Sequence, residues 1–82
     1  MDRKAIGEKI KILREEKRLT KNALATLAGL SPNYIAEIER GEKCPTVETL
    51  DYICFALGVT LRDFFSDEKV GSQDRISMLS PK

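Results

Sequence analysis

At 82 residues, with 41% hydrophobic and 33% charged side chains, the chain has the make-up of one small soluble helical domain; a chain this short buries only about 60–65% of its unfolded surface, so pairing with itself would add stability. It has no histidine, and its two cysteines, Cys44 and Cys54, form no CxxC pair; this excludes histidine-based catalysis, argues against a structural zinc and leaves two reduced thiols as the expectation. No apolar run approaches the roughly 20 residues of a membrane span, and the charged N-terminus lacks a signal-peptide core, so a cytoplasmic location without membrane attachment is expected.

The net charge of +1 is unevenly spread. Ten Lys and Arg stand against seven Asp and Glu through Lys43, and four against six from Cys44 onward, so the first half is basic and the second acidic. A first helix is predicted from about Arg3 to Lys17. Ile6, Ile10 and Leu13 fall on one stripe at i, i+4 and i+7, with Lys9, Lys11, Glu15 and Glu16 opposite. Arg14 lies at the edge of that stripe and faces the domain. Lys17 and Arg18 end the helix, where positive charge suits its dipole, and Leu19 re-enters the core.

The segment from Thr20 to Gly41, TKNALATLAGLSPNYIAEIERG, reads as two short helices joined by a tight turn. Thr20 is a candidate N-cap, and Lys21 to Ala28 carry good helix formers. Gly29 supplies a positive φ, and Leu30 can plug the angle between the helices. Ser31 caps the second helix and Pro32 takes its first position, where no N–H donor is needed. Ile35 and Ile38 bury one face and Gly41 ends the helix, leaving Pro32, Asn33, Ala36, Glu37 and Arg40 outward.

Next, Glu42-Lys43-Cys44-Pro45 forms a loop that Pro45 stiffens, and Thr46 caps a fourth helix. Val47, Leu50, Cys54 and Leu57 make its buried stripe, widened by Ile53, and Gly58 stops it. Thr60-Leu61-Arg62-Asp63 resembles a capping box for a short fifth helix carrying Leu61, Phe64 and Phe65. The domain is expected to span residues 1–66. From residue 67 to 82 the composition is polar and lacks sustained periodicity, which predicts a flexible tail; Val70, Ile76, Met78 and Leu79 leave open that it folds onto a partner or second subunit.

The series LT, LA, AGLS, YI and IERG, followed by PT, TL and ALGV, resembles the XRE family of Cro/cI-type helix-turn-helix DNA-binding domains over about residues 5 to 66. The resemblance implies an all-α, compact, five-helix, lambda-repressor-like domain that binds double-stranded DNA without cofactor, metal, catalysis or small-molecule substrate. It also implies that Arg14 pairs with Glu39, near the end of the recognition helix. A bidentate arginine–carboxylate pair would lock the first helix to the third; two unrelated surface charges are the alternative.

Major-groove reading needs short polar side chains near a helix N-terminus. Asn33 can bond adenine bidentately, Glu37 can accept from a cytosine amino group, and Pro32 and Ala36 can touch a thymine methyl. Tyr34 can reach a phosphate or sugar, or pack over the turn. The N-terminus of the second helix offers free amides to a phosphate, with Thr20 and Lys21 beside it. Asn22, Arg40 and Lys43 flank the other side as further phosphate contacts. The family often carries glutamine at the position of Lys21 and at some of those matching Pro32, Asn33 and Glu37, so no particular operator carries over.

One recognition helix reads few base pairs, and the family usually doubles it by two-fold dimerisation on a palindrome. Tyr52, Phe55, Leu61, Arg62 and Phe65 could form an isologous patch, or the fifth helix could only complete the core. A small regulator acting by occupancy follows, of repressor or restriction–modification controller type, with no second domain expected. A protein-interaction module of antitoxin type is the other reading, favoured by the acidic Glu37 and the near-neutral charge. An enzyme has least support, since Ser31 is better explained as a cap.

Overall fold

The computed structural model describes residues 1–66, which carry five helices: α1 (Arg3–Glu16), α2 (Lys21–Ala28), α3 (Pro32–Glu39), α4 (Val47–Leu57) and α5 (Leu61–Phe65). The tail expected over 67–82, with Val70, Ile76, Met78 and Leu79, lies outside the described residues.

Each helix starts on a short polar side chain that takes a free amide. Asp2, Thr20, Ser31, Thr46 and Thr60 accept from the N–H groups of Ala5, Ala23, Tyr34, Thr49 and Asp63 at 2.8 to 3.1 Å. The Thr60 amide also donates to Asp63 Oδ2 at 3.4 Å, completing the expected capping box. Helix ends are equally regular. After α2 the chain turns at Gly29, φ 73, and Leu30 N–H donates back to the Ala25 carbonyl at 2.8 Å. The same six-to-one closure ends α1, where Leu19 N–H reaches the Arg14 carbonyl at 3.0 Å. There the left-handed residue is Arg18, φ 58, a conformation that costs a side chain about 1 kcal/mol.

The core gathers Ile6, Ile10, Leu24, Ala25, Ala28, Ile35, Ile38, Leu50, Ile53, Cys54, Leu57 and Phe64. Helix α1 packs on α3, α2 packs on both α3 and α4, and α5 closes onto α4. Leu13, Leu19 and Leu30 seal its edges. Burial pushes the Cys54 thiol up to about 11, so it behaves as a small hydrophobe. Cys44 stands exposed in the loop and both thiols are free.

Two expectations need correction. Val47 does not join the buried stripe of α4 and is 74% exposed. It occupies the first helical position, and the buried face begins one turn later with Leu50, Ile53, Cys54 and Leu57. Lys9 does not stand free on the outer side of α1, because its Nζ lies 5.6 Å from the Phe64 ring centroid and tethers α1 to α5. The two phenylalanines also divide. Phe64 is buried, while Phe65 meets it edge-on at 5.3 Å and stays half-exposed.

Helices α1 and α3 approach each other backbone to backbone at Gly7. Gly7 is buried against the carbonyls of Ile38 and Glu39, and a Cβ there would collide with the Ile38 oxygen and lie 3.0 Å from that of Glu39. Gly41, just past α3, lies less tightly against Lys4, where a Cβ would be 3.2 Å from its Cα. Backbone cannot retreat as a side-chain tip can. Gly7→Ala should therefore destabilise the domain by about 3 kcal/mol, measured as a drop in the urea midpoint, whereas Ala5→Gly on the exposed side of α1 should cost about 1 kcal/mol.

Candidate nucleic-acid interface

Helix α3 is amphipathic in the simplest sense. Ile35 and Ile38 are fully buried, which fixes the rotation of the helix about its axis, and Pro32 and Asn33 are exposed as a result. Ala36 and Glu37 are half-buried on the same outward side. The helix N-terminus is preorganised by Pro32 at its first position and by the Ser31 cap. Tyr34 packs against the edge of the core instead of standing free.

A buried ion pair holds this helix in place. Arg14 Nε donates to Glu39 Oε2 at 2.7 Å and its Nη2 donates to Oε1 at 3.1 Å, the bidentate geometry of a guanidinium on a carboxylate. The third direction of the fork is also used, since Nη1 donates to the Leu19 carbonyl at 2.8 Å. The two side chains are only 9% and 3% exposed. The hydrogen bond to Glu39 raises the Arg14 pKa above its ordinary value, against the opposing effect of burial. The pair that family resemblance implied is thus a built one, and the alternative of two unrelated surface charges does not hold.

The phosphate candidates fall into two groups. Thr20, Lys21 and Asn22 are exposed together at the N-terminus of α2, although the Thr20 hydroxyl is engaged as the cap of that helix. Arg40 and Lys43 lie beyond the C-terminal end of α3, and both are paired to acids. Arg40 Nε and Nη2 donate to Glu42 at 2.7 and 3.0 Å, a contact that raises the arginine pKa and lowers that of the glutamate. Lys43 Nζ lies 3.4 Å from Glu37 Oε1 and 6.0 Å from the Tyr34 ring centroid. These pairings follow from the turn at Gly41: Glu42 N–H donates to the Glu37 carbonyl at 2.9 Å and folds the loop back over the last turn of α3.

At the other end of the domain, Phe55 is 84% exposed and Tyr52, Phe65 and Arg62 are exposed beside the half-buried Leu61. Val47 adds to the exposed apolar surface of α4. Among the described residues there is no group of acids, cysteines or histidines that could hold a metal ion, and no helix long and apolar enough to cross a membrane.

Sequence reasoning passed over Gly7, the Leu19 carbonyl and the pairing of Lys43 with Glu37. Gly7 left a signal, a glycine on the apolar side of α1 between Ile6 and Ile10. The alternation Glu37, Arg40, Glu42, Lys43 was a weaker one, because only the turn at Gly41 decides which charges meet.

Comparison with known proteins agrees with this geometry. A family model described as Helix-turn-helix matches residues 10–64. The immunity repressor protein of Bacillus phage phi105 is 34% identical over 70 residues, a match covering 85% of this chain and 49% of that protein, so the chain spans about half the repressor's length. The crystal structure of the clp gene regulator ClgR from Corynebacterium glutamicum superposes with a TM-score of 0.73 at 37% identity, covering 76% of this chain and 80% of that one. The restriction-modification controller protein C.AhdI from Aeromonas hydrophila superposes with a TM-score of 0.74 at 28% identity, covering 77% of this chain and 96% of its own.

Removing one partner of a buried pair leaves a desolvated charge behind. Glu39→Ala should lower stability by about 3–5 kcal/mol in urea unfolding. An unchanged midpoint would show that the Arg14 fork contributes nothing to holding α3.

Proposed function

This chain belongs to the XRE-type helix-turn-helix family of DNA-binding transcriptional regulators, and from that premise we propose that it recognises a palindromic operator as a homodimer and regulates by occupying it. The observation that carries the reading is the presentation of α3: two buried isoleucines and the Arg14–Glu39 pair fix it rigidly, with Pro32 and Asn33 at its exposed leading end. A helix held this way is what the major groove accepts.

In this reading Asn33 bonds an adenine edge, Glu37 accepts from a cytosine amino group, and Pro32 and Ala36 touch thymine methyls. Tyr34 supports the loop from its packed position and reaches the sugar–phosphate edge. Thr20, Lys21 and Asn22 clamp a phosphate at the start of α2, while Arg40 and Lys43 serve the far side. The immunity repressor and the restriction-modification controller among its relatives favour a repressor or controller role. Tyr52, Phe55, Leu61, Arg62 and Phe65 form the dimer patch, since a surface with this much exposed aromatic area is apt for burial against a second copy. A protein-interaction role draws support from one feature: Arg40 and Lys43 are neutralised internally, which weakens the positive field of the reading face.

Fluorescence anisotropy on duplexes from the promoter of its own operon, against random duplex at low and high salt, separates the two. DNA regulation requires tight, competitor-resistant binding that weakens steeply with salt; a flat salt response favours the protein partner. Asn33→Ala should cost about 1–3 kcal/mol on the operator and little on random DNA, whereas Lys21→Ala should weaken both and reduce the salt slope by about 1. Phe55→Lys should shift the protein to monomer in sedimentation equilibrium with its helical content intact. A dimer that survives this change would move the interface elsewhere.

A further inference from the structure

The carboxylate of Glu37 and the ammonium of Lys43 stand 3.4 Å apart over the side of α3, with Lys43 resting above the Tyr34 ring at 6.0 Å from its centroid. The acid is the more enclosed partner, 23% exposed against 57% for the lysine. Each of these two groups is wanted by a different part of DNA. The lysine suits a phosphate, and the carboxylate, as an acceptor, suits the amino group of cytosine. Neither can be fully engaged by DNA while it holds the other.

Resting on the DNA-binding reading above, we propose that Glu37 is a specificity-determining residue acting as a latch on Lys43: it keeps the lysine from phosphate until a cytosine amino group takes the lysine's place. On a matched site the exchange balances. The carboxylate trades an ammonium for an N–H donor, and the freed lysine meets a phosphate. On a mismatched site both courses lose. If Lys43 leaves, an unpaired carboxylate faces the negative groove; if it stays, a phosphate contact is forfeited. The pair therefore subtracts from non-specific affinity while leaving matched binding intact, which enlarges the ratio on which finding an operator depends. The neighbouring pair does not share this role. Arg40 and Glu42 are both half-exposed beyond the end of the helix, so Glu42 faces solvent and not a base edge.

The test uses two probes, a duplex selected from a random library by the wild-type protein and an unselected mixed-sequence duplex, titrated by anisotropy over a range of salt. Glu37→Gln should tighten binding to mixed-sequence duplex about two- to fivefold, as expected for freeing one surface pair. It should steepen the salt slope on that duplex by about 0.9, one phosphate's worth. Discrimination between the probes should fall by about tenfold or more. In a Lys43→Ala background the same glutamate change should leave the salt slope on mixed-sequence duplex where it was, because no lysine remains to be released. Glu42→Gln, a control of equal charge, should leave discrimination unchanged.

Persistence of the steeper slope in Glu37→Gln/Lys43→Ala would make the effect one of general charge and overturn the latch. So would an unaltered affinity of Glu37→Gln for mixed-sequence duplex, which would leave Glu37 at most a simple base reader. Failure of the wild-type protein to enrich any duplex, or to show salt-dependent binding, would instead sink the DNA reading itself. Circular dichroism melts of every variant should coincide with wild type, since none of the substituted side chains belongs to the core.

Discussion

The contact on which the rest depends is the three-way engagement of Arg14. Its guanidinium joins α1 to the end of α3 through both oxygens of Glu39, and to the approach of α2 through the carbonyl of Leu19. A buried ion pair is a poor source of net stability, because dehydrating both charges costs several kcal/mol and a well-packed apolar pair can replace it without loss. What it supplies is direction. Apolar packing tolerates sliding and small rotations, while a forked donor matched to a carboxylate and a carbonyl admits one arrangement of the three elements. The close seat of α3 on α1 at Gly7 works to the same end, since two backbones in contact leave no slack for the pair to stretch.

That rigidity matters because α3 is short. At eight residues it has no stability of its own, and isolated helices below about 12 residues are marginal in water. Its form is borrowed from Ile35 and Ile38 beneath it, from the Ser31 cap at one end and from the turn at Gly41 at the other. In this family a helix of this kind is the part that meets DNA, and one that had to be ordered on contact would lose affinity to the entropy of ordering.

Much of this was legible in the residues. The caps at Thr20, Ser31, Thr46 and Thr60 were visible because capping is a local event, settled within four residues of chain. The turn at Gly29 was visible for the same reason. The Arg14–Glu39 pair joins positions 25 apart and was reached only through family resemblance; nothing in the spacing of the two charges announces it. Val47 and Lys9 were misplaced because helical periodicity gives the direction of a side chain but not how far the covering elements extend. Val47 points along the apolar stripe but lies beyond the first core layer at Leu50, and Lys9, three residues after Ile6 and four before Leu13, sits on the flank of the stripe, where its long side chain reaches Phe64. The pairing of Lys43 was hidden in the path of a loop.

The near-neutral charge, at first sight awkward for a DNA-binding chain, has an account in the same geometry. Affinity for DNA grows with every unpaired cation, but such gains fall on all sequences alike and are diluted by the excess of non-specific sites. A small regulator with few base contacts benefits more from withholding charge than from adding it. At the end of α3 each of two cations sits beside a carboxylate carried by the helix or its turn, so that end of the helix is electrostatically quiet. The start of α2 differs: Lys21 stands beside the free amides of a helix N-terminus with no acid in its first turn. In the proposed mode this division lets one end of the motif supply the sequence-independent grip while the other responds to the bases. The domain then gains discrimination from the Glu37–Lys43 pair, whose charges cancel in its free state, without needing a larger reading surface.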